Sequence, residues 1–435
     1  MNPLHFARPF LHSAVMAAVV CAFAGAVHAQ PAGASAASSS AASARPAVGA
    51  PLMEAEKLIK DGRFAEALAK AREAEKAGTD ATPYEAYVIH RMKAVAAFGA
   101  GDAASGLVST EAAIDTRYLQ GKQQLDLIES LVHAAYNAKD YARVVPWAKR
   151  YAEAGGTQPD VGALRLQALY LNGDYAAAAE GLQNRLAADD AAGRVTTERQ
   201  LQLLAVAQSK LNDDAGHVRT TERLVRQYPT PAYWSVLLSR VDQQKLATRQ
   251  LLDLMRLMRA TGVLRETEQY MTMANMALLA GLPAQAVSAL DEGYANGKLG
   301  QGAKAAEHSA LRDKARKQAA DDLAQRAAED KAARAARDGN GLVGLGQVLV
   351  AEGKLDAGIT LIEQGIAKGG LRQPEEARLH LGIAQALAGR GDSARQTLST
   401  TQGPLAELAR LWSLYASSPR VATAAPDAPV AAAKM

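Results

Sequence analysis

Phenylalanine is nearly missing from this sequence. Five occur in 435 residues, and Phe6, Phe10 and Phe23 crowd the first 30, leaving Phe64 and Phe98 for all the rest. Aromatic residues make up 5% of the chain, while 49% is hydrophobic. That hydrophobic share excludes wholesale disorder. A core without Phe has to be built from Leu, Val, Met and above all Ala, which suits closely packed helices better than sheets. Cysteine is lacking too: Cys21 is the single one, which excludes an intrachain disulfide. Charge of one sign is not in excess. The net charge of +4 is spread along the chain without a long basic run, so neither nucleic acid nor an anionic membrane is an implied partner. Long apolar runs are missing beyond the N-terminus, so the remainder is expected to hold no membrane span.

What is there begins with an export signal over residues 1–29. Arg8 supplies a positive start, Ser13 to Val27 is uncharged and largely apolar, and Val27-His28-Ala29 places small residues for cleavage before Gln30. A retained anchor helix is the alternative. Lipidation at Cys21 is disfavoured because Val20 precedes it where a small residue is needed. Cleavage removes Arg8 and Cys21, leaving a net charge of +3 and no thiol, which suits an oxidising compartment such as the periplasm. Residues 30–50 are Ala, Ser, Gly and Pro and read as a flexible linker. Residues 418–435 read as a disordered tail, and residues 51–417 as helical throughout.

Within that helical stretch one phrase recurs: an apolar helix, a break at Gly or Asp, then a second helix opening with a small residue. The breaks fall at Gly62, Gly101, Asp140, Gly173, Asp213, Gly281, Gly353 and Gly389, with a weaker one at Gln244. The small residues that follow are Ala67, Gly106, Val144, Ala178, Val218, Ala286, Gly358 and Ala394. The period is about 34–40 residues, enough for about nine or ten units. A glycine just past a helix end takes the left-handed conformation that stops it, and a small residue on the second helix lets two axes approach closely. Each hairpin leaves one apolar face for its neighbour to cover.

This helix–turn–helix unit resembles the tetratricopeptide repeat (TPR). In that family a small residue on the first helix precedes one on the second by twelve positions. Ala55 and Ala67, Ala274 and Ala286, Gly346 and Gly358, and Gly382 and Ala394 are so spaced, and Tyr270 falls at the family's N-terminal aromatic position. Most units lack that aromatic, and the proline that ends a unit is nearly absent. The resemblance covers about residues 51–417 and implies an all-α, TPR-like α-solenoid of helical hairpins. A finer resemblance rests on Lys368-Gly369-Gly370-Leu371, Pro374 and Leu379 to Gly382. These look like exported, periplasmic TPR proteins of proteobacteria, some similar to proteins encoded beside the TonB–ExbB–ExbD system.

Residues 304–338 depart from the pattern. Leu311 and Leu323 are their only large aliphatics, and Asp313–Lys317, Asp322–Arg326 and Asp330–Arg334 are acid-before-base pairs one helical turn apart. The stretch reads as a solvated, degenerate helix pair or one long helix, with a charged arm for a partner as the sharper alternative.

Catalytic chemistry finds no foothold in the motifs. HExxH, Walker A, GxSxG and CxxC are absent. Residues 339–344 match GxGxxG literally, but a charged Ala-rich helix precedes them where a dinucleotide loop needs a strand. His90, His133, His217, His308 and His380 lie far apart with no metal-ligand spacing. Met255, Met258, Met271, Met273 and Met276 recur at helical spacing and read as core, with a soft peptide-binding patch as the alternative. Trp412 reads as packing for a terminal capping helix.

The sequence therefore points to a scaffold or adaptor that binds a protein or peptide on the first helices of its hairpins, with no cofactor, metal or catalytic residue. The candidate contact residues are Tyr170, Tyr233, Trp234, Tyr270 and Asn275. The structural marks of the repeat are Gly62, Ala67, Gly101, Gly106, Gly173, Ala178, Gly281, Ala286, Gly346, Gly353, Gly358, Gly382 and Ala394. An accessory role in an envelope complex, in outer-membrane, secretion, polysaccharide or TonB-linked transport, is the narrower alternative. An enzyme would need a convergent polar site.

Overall fold

A computed structural model describes residues 43–419 except 244 and 245. The expected signal peptide, residues 420–435 of the expected tail and the weak break at Gln244 lie outside the described residues. Those residues hold twenty α-helices, with a 3-10 turn at Gly403–Leu405. They divide into two compact units that part at Gly193 and Arg194.

The first unit is four antiparallel hairpins: α1 (Pro46–Lys60) with α2 (Phe64–Ala77), α3 (Pro83–Gly99) with α4 (Ala103–Asp115), α5 (Gly121–Asn137) with α6 (Tyr141–Glu153), and α7 (Pro159–Leu171) with α8 (Tyr175–Ala191). The linker expected over residues 30–50 ends sooner than its composition implied, because α1 begins inside it. Val48 is fully buried in the core, and Arg45 donates from Nε to Glu85 at 3.0 Å. A low-complexity stretch becomes helix here because its Val and Leu residues find a packed face on α2 and α3.

The second unit opens with α9 (Glu198–Lys210) and α10 (Asp214–Gln227), then the short α11 (Pro231–Leu238) and α12 (Thr248–Ala260). A regular hairpin follows, α13 (Thr267–Leu279) with α14 (Pro283–Ala295). Residues read as a degenerate pair or one long helix are a single helix of 31 residues, α15 (Ala305–Ala335). Its Asp322–Arg326 and Asp330–Arg334 pairs form at 2.6 and 2.9 Å. Two more hairpins, α16 (Asn340–Ala351) with α17 (Leu355–Lys368) and α18 (Pro374–Leu387) with α19 (Gly391–Ser399), lead to α20 (Ala406–Ser417).

The turns follow one rule. Gly62, Gly101, Gly173, Gly281 and Gly353 sit at φ of 72° to 83°, the left-handed position that ends the first helix. At two breaks the sequence had marked the wrong residue. Lys139 (φ 61°) and Asn212 (φ 56°) take the left-handed position, and the aspartates behind them cap the next helix. Asp140 accepts from the Arg143 amide at 3.1 Å and Asp213 from the Gly216 amide at 2.8 Å. With the break moved to Asn212, the small position passes from Val218 to His217, whose Nδ1 lies 2.8 Å from the Ala205 carbonyl oxygen twelve residues earlier.

Small residues do carry the close contacts. Ala67, Ala178, Ala286 and Ala394 have no exposed surface. A Cβ on Gly346 would lie 2.8 Å from the Gly358 carbonyl oxygen, and one on Gly358 would lie 2.7 Å from that of Gly346. α16 and α17 thus touch backbone to backbone, as the twelve-residue spacing predicts for TPR-like hairpins.

The second unit closes on itself, which the repeat reading did not foresee. α20 packs against α10, α12 and α18. Trp412, fully buried, donates from Nε1 to the Asp253 carbonyl oxygen at 3.2 Å. Arg410 pairs with Glu222 across 188 positions. Trp234, Leu237, Leu254, Leu257, Leu408 and Leu411 share one core with Trp412. The expected capping role of Trp412 holds, but the cap covers the beginning of its own unit.

Candidate functional site

The second unit holds a half-open cavity of about 700 Å³ between α12, α15, α16, α18 and the α13–α14 turn. That size falls in the range of ligand pockets, about 300–1,000 Å³. Its wall mixes apolar groups (Leu252, Leu282, Val343, Leu345, Val348) with Arg249, Arg256, Gln347, Glu376 and His380. α16 and α18 are the first helices of their hairpins, the layer from which the sequence predicted binding.

The polar part of the wall is organised around Asp253, which is 1% exposed. Asp253 Oδ2 lies 3.0 Å from His380 Nε2, and its Oδ1 accepts from Arg256 Nη1 at 2.5 Å. Arg256 also donates from Nε and Nη2 to Gln285 Oε1 at 3.1 and 2.6 Å. Burial alone would push the Asp253 carboxyl up, but the charges of His380 and Arg256 outweigh it and hold it below its ordinary value. His380 is buried, and its Nδ1 has no hydrogen-bond partner among the described residues. At the rim Arg249 donates to Gln373 at 2.9 Å and faces Glu376 at 3.6 Å. Asn340 joins the walls, accepting from the Arg372 amide at 3.0 Å and donating to the Gly370 carbonyl oxygen at 3.1 Å.

The GxGxxG match lies on this wall and is not a phosphate loop. Helix α15 precedes it, and the Asn340 amide at the start of α16 is taken by Asp338 Oδ1 at 2.9 Å. Its glycines serve contact instead: a Cβ on Gly339 would lie 1.8 Å from the Gly365 carbonyl oxygen, whereas one on Gly344 would meet nothing within 4 Å.

The residues chosen from sequence as contacts lie elsewhere. Trp234 and Tyr270, expected on an exposed face, are 0% and 1% exposed and belong to the core. Tyr270 packs on Gly293 and donates to the Leu264 carbonyl oxygen at 3.2 Å. Trp234 lies 6.3 Å from the Tyr415 ring. Tyr233 is half-buried; burial, then the bond it donates to Glu198, pushes its hydroxyl up to about 12. Tyr170 is half-buried against Tyr175, ring centroids 5.4 Å apart, in the place that Tyr136 holds against Tyr141. Asn275 is exposed. The methionines read as core are core: Met255, Met271 and Met273 are buried around Tyr270.

Reasoning from sequence missed Asp253 and His380. The available signal was a lone acid inside the apolar run of α12; the partner 127 positions away was not in it. It also missed a cluster in the first unit, where Glu129, His133 and Asp160 offer ligand atoms all within 4.8 Å of one another. No protein-family profile matches the chain. No curated protein matches it either.

Among solved structures, the Naa15/Naa10 complex bound to HypK-THB is 14% identical at a TM-score of 0.28, with 83% of this chain covered. This chain spans 65% of that one. A tetratricopeptide repeat protein from Parabacteroides merdae is 9% identical at 0.28, covering 78% of this chain and 99% of its own. Yeast Tom70 is 9% identical at 0.24, covering 85% and 94%. These are distant likenesses and say nothing of function.

Proposed function

We propose that this chain is an exported TPR-type scaffold that seats a segment of a protein partner in the cavity of its second unit, without catalysing a reaction. The cavity carries this reading. Its wall combines apolar side chains with the arginines of α12 and the Gln347 amide of α16, the mixture that orients a peptide rather than merely burying it. Leu279 and Leu323, 80% and 60% exposed, adjoin the lining residues Ala280 and Asp322 in the chain and offer apolar area nearby.

Gly344→Phe tests the seat, because that position opens on space and helix propensity favours the change. Affinity capture from envelope extracts should retain a specific partner with the wild-type chain and lose it with the variant. Equal capture by both would remove the cavity from the reading. Export belongs to the same proposal and rests on Arg8, the apolar run and Val27-His28-Ala29. Fractionation and N-terminal sequencing should place a chain starting near Gln30 in the periplasm; an unprocessed cytoplasmic chain would overturn it. An accessory role in an envelope system, TonB-linked ones included, is the narrower form, and the identity of captured proteins decides it.

A further inference from the structure

We propose that Glu129, His133 and Asp160 of the first unit bind one divalent transition cation, zinc foremost, which braces two successive first helices. Glu129 and His133 lie four residues apart on α5, so a carboxylate and an imidazole project from one face, one turn apart. Asp160 is the second residue of α7, and Pro159 sets where that helix starts. α5 and α7 pack directly against each other.

The spacing fits a metal. His133 Nε2 and Asp160 Oδ2 are 3.1 Å apart. In a tetrahedral zinc site with bonds of about 2.0–2.2 Å, ligand atoms are separated by about 3.3 Å. One edge of the tetrahedron is therefore already drawn, and Glu129, within 4.8 Å of both, completes a face by a side-chain rotation. The His133 and Asp160 side chains are 41% and 56% exposed, which admits a hydrated ion and leaves water to fill the remaining position. Behind them the buried Tyr151 hydroxyl donates to Glu129 Oε2 at 3.4 Å, a second layer that orients the carboxylate. One imidazole with two carboxylates suits zinc or manganese; calcium and magnesium prefer all-oxygen shells.

A plain His133–Asp160 ion pair is the competing account, and pH separates the two. The ion pair needs a protonated imidazole and strengthens in acid, whereas a metal takes the neutral ring and is displaced by protons. The test is calorimetric titration of zinc chloride into the full mature chain after chelator treatment. One equivalent should bind at about pH 7.5, and binding should fade toward about pH 5. The thermal midpoint should rise with zinc concentration and not with magnesium. His133→Gln and Asp160→Asn should each weaken zinc at least about tenfold while leaving the metal-free midpoint unchanged. Absence of saturable zinc uptake, or uptake undiminished in both variants, would overturn the site and leave the ion pair alone.

Discussion

Asp253 shows what one residue does when its charge is stranded in an apolar helix. Its neighbours Leu252 and Leu254 are buried, so the carboxylate goes inside with them and survives there by pairing with His380 and Arg256. Removing one partner of such a group leaves the others uncompensated, which costs about 3–5 kcal/mol. Asp253→Ala should lower the urea stability of the second unit by that much, and replacing all three by apolar residues should cost less than the single change. Glu85 plays a smaller version at the start of the fold. Its 1% exposed side chain accepts from Arg45 Nε at 3.0 Å, from the Arg45 amide at 2.8 Å and from the Thr82 amide at 3.0 Å. These bonds, that from the Arg45 side chain foremost, hold its carboxyl at about 2 instead of 4.5. A depressed carboxyl pKa adds stability above the unfolded value and loses it as pH falls through the folded one. Hydrogen exchange should therefore show α1 protected above about pH 4.5 and loosening toward about pH 2. Glu85→Gln should flatten that dependence.

At the scale of elements, the α16–α17 hairpin depends on missing side chains. Gly346 and Gly358 face each other's carbonyl oxygens, and Gly365 receives Val343, so three glycines set the distance between the axes. Gly346→Val would collide with Ile362 and the Gly358 carbonyl oxygen. The expected loss is at least about 1–3 kcal/mol, the usual penalty for overpacking, read as a lower thermal midpoint. Gly344→Val, two residues earlier on the open face, is the control and should fall within about 0.5 kcal/mol of wild type. The long helix α15 needs the opposite device. It buries only His308, Ala315 and Ala333, and ion pairs such as Arg326 with Glu352 at 2.7 Å fasten it to α16.

On the scale of the whole molecule, the first unit carries cores of its own. One set of buried residues runs from Val48 to Ala97 and another from Leu107 to Ala168, both within the first unit. A fragment of residues 43–193 should accordingly fold alone, with helical circular dichroism and one cooperative melt. The second unit should behave differently because its ends meet. Trp412→Ala removes a fully buried ring from the core that joins α20 to α11 and α12. It should cost about 3–5 kcal/mol, and protease cutting should then begin in α20. Cutting first in α9 instead would show that the closure contributes little.

The sequence by itself determined the helices, their turns and the small residues between paired helices, because those depend on neighbours within about one repeat. Gly62, Gly101 and Ala67 could be read for that reason, and Trp412 as a cap. The breaks at Asp140 and Asp213 were misplaced by one residue because Lys and Asn, not Gly, take the left-handed position there. Only the tertiary structure decided that α20 returns to α10 and α12. A partner 127 or 188 positions away leaves no period in a sequence, and burial of Trp412 with Leu254 and Trp234 settles the matter through packing. The same holds for the sites. Each residue around Asp253, or beside His133, is unremarkable alone, and its chemistry arises from which helices the apolar faces bring together.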